Sequence, residues 1–178
     1  MLTFPRHVRG VTLIELMVVI AFIGLLLLVG LPAFGTMLAN LRVRGVAESV
    51  LTGVQTARTE ALTRNEDITF SLDAATGGAW SVRLAAGTKL QEKSAADGGA
   101  VNVALASGGN LIVFNRLGQR TTPPAATPVL NIDITNPGVD ACEVDGGSVR
   151  CLRIMVSIGG QTRLCDPKRQ AGDPQACS

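Results

Sequence analysis

Residues 11–32 read VTLIELMVVIAFIGLLLLVGLP, and this stretch decides the architecture. Between Leu16 and Leu41 no residue is charged, a run of 26 residues. As a helix rising ~1.5 Å per residue it would be ~39 Å long, enough to cross a hydrocarbon core of ~30 Å. The preface MLTFPRHVRG carries Arg6, His7 and Arg9. Basic residues ahead of an apolar span hold that end in the cytoplasm, so the remainder is expected on the far side. An ordinary secretion signal has a shorter apolar core followed by a small-residue cleavage site. Here the run is longer, and Gly10 precedes it. Glu15 places one carboxylate at the edge of the run. An unpaired charge there is costly, which makes Glu15 a candidate functional residue. The plainer alternative is a simple anchor with Glu15 reaching back to the interface.

Arg9-Gly10 directly before Val11-Thr12-Leu13-Ile14-Glu15 resembles the processing site of type IV prepilins and type II secretion pseudopilins. The resemblance implies that a prepilin peptidase cuts between Gly10 and Val11 on the cytoplasmic face and methylates the new amine. The family usually has Phe after the cut, and Val11 departs from that. Glu15 is the fifth residue of the resulting chain, where the family keeps its glutamate. Pro32 falls where many pilins carry a helix proline. After cleavage, Val11 would present an ammonium and Glu15 a carboxylate one turn later. In a stack of parallel helices, Glu15 of one subunit can meet the amine of a neighbour. Such a pair sets register more surely than it adds stability. Glu15 and Pro32 are therefore the expected assembly residues. Pro32 removes a hydrogen bond and clashes with the Leu28 carbonyl. With Gly24, Gly30 and Gly35 nearby, a kink or local melting is expected there.

The helix is expected to continue. Val43, Ala47, Val50, Val54, Ala57 and Ala61 recur at steps of three and four, one apolar stripe. Arg42, Arg44, Glu48, Arg58, Glu60 and Arg64 lie off the stripe, and Glu60 and Arg64 form a favourable i,i+4 pair. Only Gly45 and Gly53 interrupt the run from Leu38 to Thr63. One helix from about Val11 to about Arg64, roughly 80 Å long, follows. Residues 54–65, VQTARTEALTRN, then Ile68 to Leu72, resemble the GspH/FimT group of minor pilins and pseudopilins. Ala57-Arg58, Glu60-Ala61 and Arg64-Asn65 carry that likeness.

After the helix the period becomes two. Ile68–Leu72, Trp80–Leu84 and Val101–Leu105 alternate as strands do. Leu111–Phe114, Val129–Ile134, Arg150–Ile158 and Gln161–Cys165 read as further strands. Residues 85–99 read as a polar loop and 121–128 as a Pro/Ala-rich link. Trp80 is expected in the core. Short strands without intervening helices predict an antiparallel β domain. The fold class is therefore α+β, a pilin fold, with a long N-terminal helix packed on an antiparallel sheet. The expected division is a leader at 1–10, a transmembrane or fibre-core half-helix at 11–40, an amphipathic half at 41–66 and a β domain at 67–178.

Cys142, Cys151, Cys165 and Cys177 all lie late in the chain. An even number on the exported side predicts disulfides. Three pairings are open; the local one, Cys142–Cys151 with Cys165–Cys177, closes two short loops and is favoured. Zinc is disfavoured, since no Cys-x-x-Cys spacing occurs and His7 is the only histidine. That lone leader histidine also removes Ser/His/Asp and Cys/His catalysis, so no enzyme and no cofactor are expected. The net charge is +2, and losing Arg6 and Arg9 with the leader leaves 14 basic against 14 acidic residues. Overall charge therefore gives no case for nucleic acid. The tail is locally basic: from Gly146 to Ser178, Arg150, Arg153, Arg163, Lys168 and Arg169 face Asp166 and Asp173. Some FimT-like minor pilins are DNA receptors with a C-terminal Gly-Arg-x-Arg motif. Gly160-Gln161-Thr162-Arg163 matches it without the first arginine. Arg163, Lys168 and Arg169 are thus candidate DNA contacts, against a solvated tail as the plainer alternative. The reading is a minor pilin of a type IV pilus, joining a tip complex that primes assembly. The alternatives are a GspH-like pseudopilin of type II secretion and a DNA-binding tip pilin. Expected partners are other pilins or pseudopilins, the prepilin peptidase, the inner membrane and, in the last case, DNA. The chain would sit in the inner membrane with a periplasmic domain, then in the fibre.

Overall fold

The computed structural model describes residues 10–96, 98–124 and 127–177, and along the helix all side chains except those of 29–33. Arg6, His7 and Arg9 of the expected leader lie outside these residues, as does the side chain of Pro32. Helix α1 spans Leu13–Arg64, 52 residues. It is continuous at Pro32, so the local melting expected there is absent from the isolated chain. Asn65 ends the helix with φ of 56°, the left-handed conformation that Asn tolerates after a last helical turn. The chain divides into two compact units after Gly35.

In the second unit, α1 carries the core of the domain. Val43, Ala47, Val50, Val54, Ala57 and Ala61 are all fully buried, as the stripe predicts, with Ala39 and Val46 on the same face. Two antiparallel sheets cover it. The first has order β3-β2-β1-β5-β6. Its strands are β1 (Ile68–Ala74), β2 (Ala79–Leu84), β3 (Lys89–Lys93), β5 (Leu111–Phe114) and β6 (Arg120–Thr122). The second has order β4-β7-β8-β9. Its strands are β4 (Asn102–Leu105), β7 (Val129–Thr135), β8 (Leu152–Ser157) and β9 (Thr162–Cys165). The alternation is plainest in β7, where Leu130, Ile132 and Ile134 are buried and Ile132 pairs with Ile154 of β8.

Trp80 is buried, and its ring nitrogen donates to the Ser49 hydroxyl of α1 at 3.0 Å. Gly53 explains its own presence. A Cβ there would lie 2.8 Å from the Trp80 ring and 2.9 Å from the Phe70 ring, so β1 and β2 approach the helix where it has no side chain. Arg120 is buried, and its two terminal nitrogens donate to the carbonyls of Pro123 and Thr127. Burial holds its pKa below the usual arginine value.

Three expectations need correction. Residues 85–99 are not all loop, because Lys89–Lys93 forms edge strand β3. Its sequence KLQEK has no apolar alternation because an edge strand left mostly to solvent needs none, and charge there blocks further pairing. The link at 121–128 begins with two residues of β6 and is pinned by Arg120. The strand expected at Arg150–Ile158 begins at Leu152, because Val149 bridges to Cys142 and the preceding residues close a loop.

Candidate functional site

At the N-terminus, Gly10 and Val11 precede the helix, and Val11 is 75% exposed. Thr12 caps the helix: its hydroxyl accepts the Glu15 backbone N–H at 3.3 Å. Thr12-Leu-Ile-Glu15 is also the spacing of a capping box, a start signal that a reading focused on the Glu15 charge passes over. Among the described residues the Glu15 carboxylate has no ion-pair partner and remains exposed, available to a group outside the chain. Around it the helix is apolar on all sides. From Leu13 to Leu28 the large side chains are all exposed, from 49% at Val18 to 78% at Leu28. Bare apolar surface of that extent calls for a covering partner. Among the described residues no helix is long and apolar enough to cross a membrane.

At the other end of the sequence, two disulfides, Cys142–Cys151 and Cys165–Cys177, realise the local pairing. All four sulfurs are committed, and among the described residues no group of His, Cys, Asp and Glu is placed to hold a metal ion. The two loops are clasped together. Arg150 Nε donates to the buried Asp166 carboxylate at 2.7 Å and Arg150 Nη2 to Gln175 at 2.8 Å. Lys168 crosses to Glu143 at 3.0 Å. Arg150 also fastens the first loop to the helix, through its backbone N–H and the Asn40 side chain. Asp140, at the mouth of that loop, accepts from the Ser148 hydroxyl and from the backbone N–H groups of Ala141 and Ser148. Those bonds hold its pKa below the usual carboxylate value.

The candidate DNA contacts come together only in part. Lys168 and Arg169 line one open cleft with Glu143, Asp166 and Asp173. Arg169 lies 3.7 Å from Asp166 and 3.4 Å from Asp173. Arg163 is on β9, where its guanidinium donates to the Pro174 carbonyl at 2.9 Å. The positive tail of the sequence is therefore a mixed, internally paired surface, since Glu143 joins it from outside the 146–178 window. Gly160 has a structural duty. Its φ is 74°, and a Cβ there would fall 2.0 Å from the Gly118 carbonyl oxygen. The glycine of the Gly160–Arg163 stretch is required by the turn between β8 and β9.

Comparison with known proteins agrees with this architecture. The family described as "Type II transport protein GspH" matches residues 46–160, and the "Prokaryotic N-terminal methylation motif" matches residues 5–31. The chain is 28% identical over 138 residues to the type IV major alpha-pilin of Moraxella bovis, covering 78% of this chain and 86% of that one. The type IV minor pilin FimU of Pseudomonas aeruginosa has the same fold, with a TM-score of 0.55 at 20% identity, over 76% of this chain and 95% of that one. So does the minor pseudopilin EpsH from the type 2 secretion system of Vibrio cholerae, with a TM-score of 0.51 at 16% identity, over 72% and 99%.

Proposed function

This chain belongs to the GspH family, and we propose that it is a minor pilin of a type IV pilus, a structural subunit that helps prime fibre assembly. The observation that carries the proposal is the bare apolar helix ahead of a domain whose own core is complete. An apolar rod that no described residue covers is suited to lipid first and to neighbouring helices afterwards. In this reading residues 11–40 cross the inner membrane and the domain faces the periplasm. The prepilin peptidase cuts between Gly10 and Val11 and methylates the Val11 amine. Glu15 then meets the amine of a neighbouring subunit and fixes its register, with Pro32 shaping the rod as it packs.

The likeness to the Moraxella bovis pilin and to FimU supports a pilus. A second reading, a pseudopilin of type II secretion, is supported by the description of the matched family and by the likeness to EpsH. Deleting the gene and measuring piliation and protein secretion in the same strain separates the two. The proposal expects loss of surface fibres with secretion intact; loss of secretion with normal piliation overturns it in favour of the second reading. Contact with DNA through Arg163, Lys168 and Arg169 would require phosphates to displace the carboxylates and carbonyl that now hold them. Salt-sensitive duplex binding by the full chain, lost on Arg163→Ala, would support that additional role.

A further inference from the structure

Near the C-terminal end of α1, two hairpin turns from different sheets close on Arg58. A Cβ at Gly118 would lie 3.2 Å from Leu62 and 3.3 Å from Arg58 Nε, and one at Gly160 would lie 2.9 Å from the same Nε. The turn between β5 and β6 is rigid. The Asn115 side chain accepts the N–H groups of Leu117 at 3.0 Å and Gln119 at 2.9 Å, and Gly118 N–H donates to the Asn115 carbonyl. This turn holds Leu117 out, 68% exposed, beside Leu62 at 50% and Ile158 at 37%. Arg116 belongs to the turn that packs on Arg58, and among the described residues neither arginine forms an ion pair, although Glu66 and Asp67 follow the helix closely. Arg58 Nε is buried without a hydrogen bond. The corner is thus a preorganised apolar patch with two uncompensated cations.

The opposite end of the domain carries its complement. The first disulfide loop projects a short 3-10 turn, Glu143–Asp145, in which Val144 is 51% exposed. Glu143 is paired with Lys168, whereas Asp145 forms no ion pair among the described residues. The loop is fastened at Asn40, eighteen residues before Arg58, or ~27 Å along the helix. The two surfaces therefore cannot meet within one chain.

We infer that the basic corner of Arg58, Arg116, Leu62 and Leu117 receives the Val144–Asp145 turn of a second copy of this chain. Complementary patches at opposite ends make a head-to-tail contact, which adds copies along the helix direction and does not close. Apolar contact supplies the cover, and the Asp145 carboxylate supplies the missing counter-charge. The contact goes beyond the assembly reading and is independent of which fibre the chain joins, because it uses neither Glu15 nor the apolar rod.

The test is self-association of the full chain in detergent micelles, followed by sedimentation at low and high salt, with circular dichroism confirming each variant folded. Arg58 is left in place because it packs between two turns. The wild type should associate with concentration, and high salt should weaken this about tenfold. Arg116→Glu and Asp145→Arg should each abolish association alone, and an equimolar mixture of the two should restore it. A monomeric wild type overturns the inference. So does association that persists in either variant, which would place it in the apolar helix. Loss in both variants without restoration in the mixture also overturns it, since the two surfaces would then not be partners.

Discussion

The two halves of α1 are one helix in opposite surroundings. Around residues 13–28 the large apolar side chains are exposed; around residues 39–61 the apolar stripe is fully buried by two sheets. The first half is apolar all round, whereas the second confines its apolar residues to one face and carries arginine and glutamate elsewhere. The lesson is a separation of duties. Substitutions in the second half should act on the stability of the domain, and substitutions in the first should act on what the chain assembles with.

The largest effect should come from a charge in the buried stripe. Val54→Asp places a carboxylate with no partner among apolar side chains and should destabilise the domain by about 4 kcal/mol or more. Val19→Ala, in the exposed half, should leave thermal unfolding of the domain unchanged. Equal losses in calorimetry would dissolve the comparison. Next in size, removing the Cys165–Cys177 bond by a double change to Ser should cost about 3 kcal/mol, read by denaturant unfolding. It should also loosen Arg150 and Lys168 from their carboxylates.

Gly53→Ala sharpens the contrast within one position type. The added methyl meets the Trp80 and Phe70 rings and should cost about 1–3 kcal/mol, less up to ~1 kcal/mol of gained helix propensity. At Gly24, where nothing lies within 4 Å, the same change should leave the unfolding midpoint of the domain unmoved. The smallest effect is on acid stability. Asp140 and Asp73 both have folded-state pKa values below the ordinary 3.8. For Asp140 the cause is hydrogen bonding. For Asp73 burial pushes upward, but hydrogen bonds from Ser81 and Ser71 and the charges of Arg83 and Lys89 outweigh it. A depressed carboxylate contributes stability that is complete above the unfolded value and is lost as pH falls through the folded one. Stability should therefore decline below about pH 4, and Asp140→Asn should flatten that decline slightly.

The stripe was legible because its spacing depends only on the helix, and Val43 through Ala61 fall on one face by periodicity alone. The N-terminal methylation motif, matched over residues 5–31, was legible as a contiguous stretch that includes Gly10, Val11 and Glu15. What escaped the sequence depends on residues far apart in it. Gly53 reads as a helix breaker until Trp80 and Phe70 are placed against it. Strand β3 has no pattern because its side chains meet mostly solvent. The tail reads as basic until Glu143 and Asp166 are set beside Lys168, Arg169 and Arg150. Arg58 counts in the sequence only toward the family likeness and Arg116 raises no signal, since lacking a partner among the described residues is a property of the folded surface.

The most direct test of the central claim follows Glu15→Ala through processing and assembly. The variant is expressed in cells lacking the native gene, and immunoblots separate membrane and sheared-fibre fractions. The account predicts normal leader removal, normal domain stability, and retention in the membrane with little or none in the fibres. Incorporation at the wild-type level would contradict it, because the exposed half of the helix would then assemble without its one carboxylate.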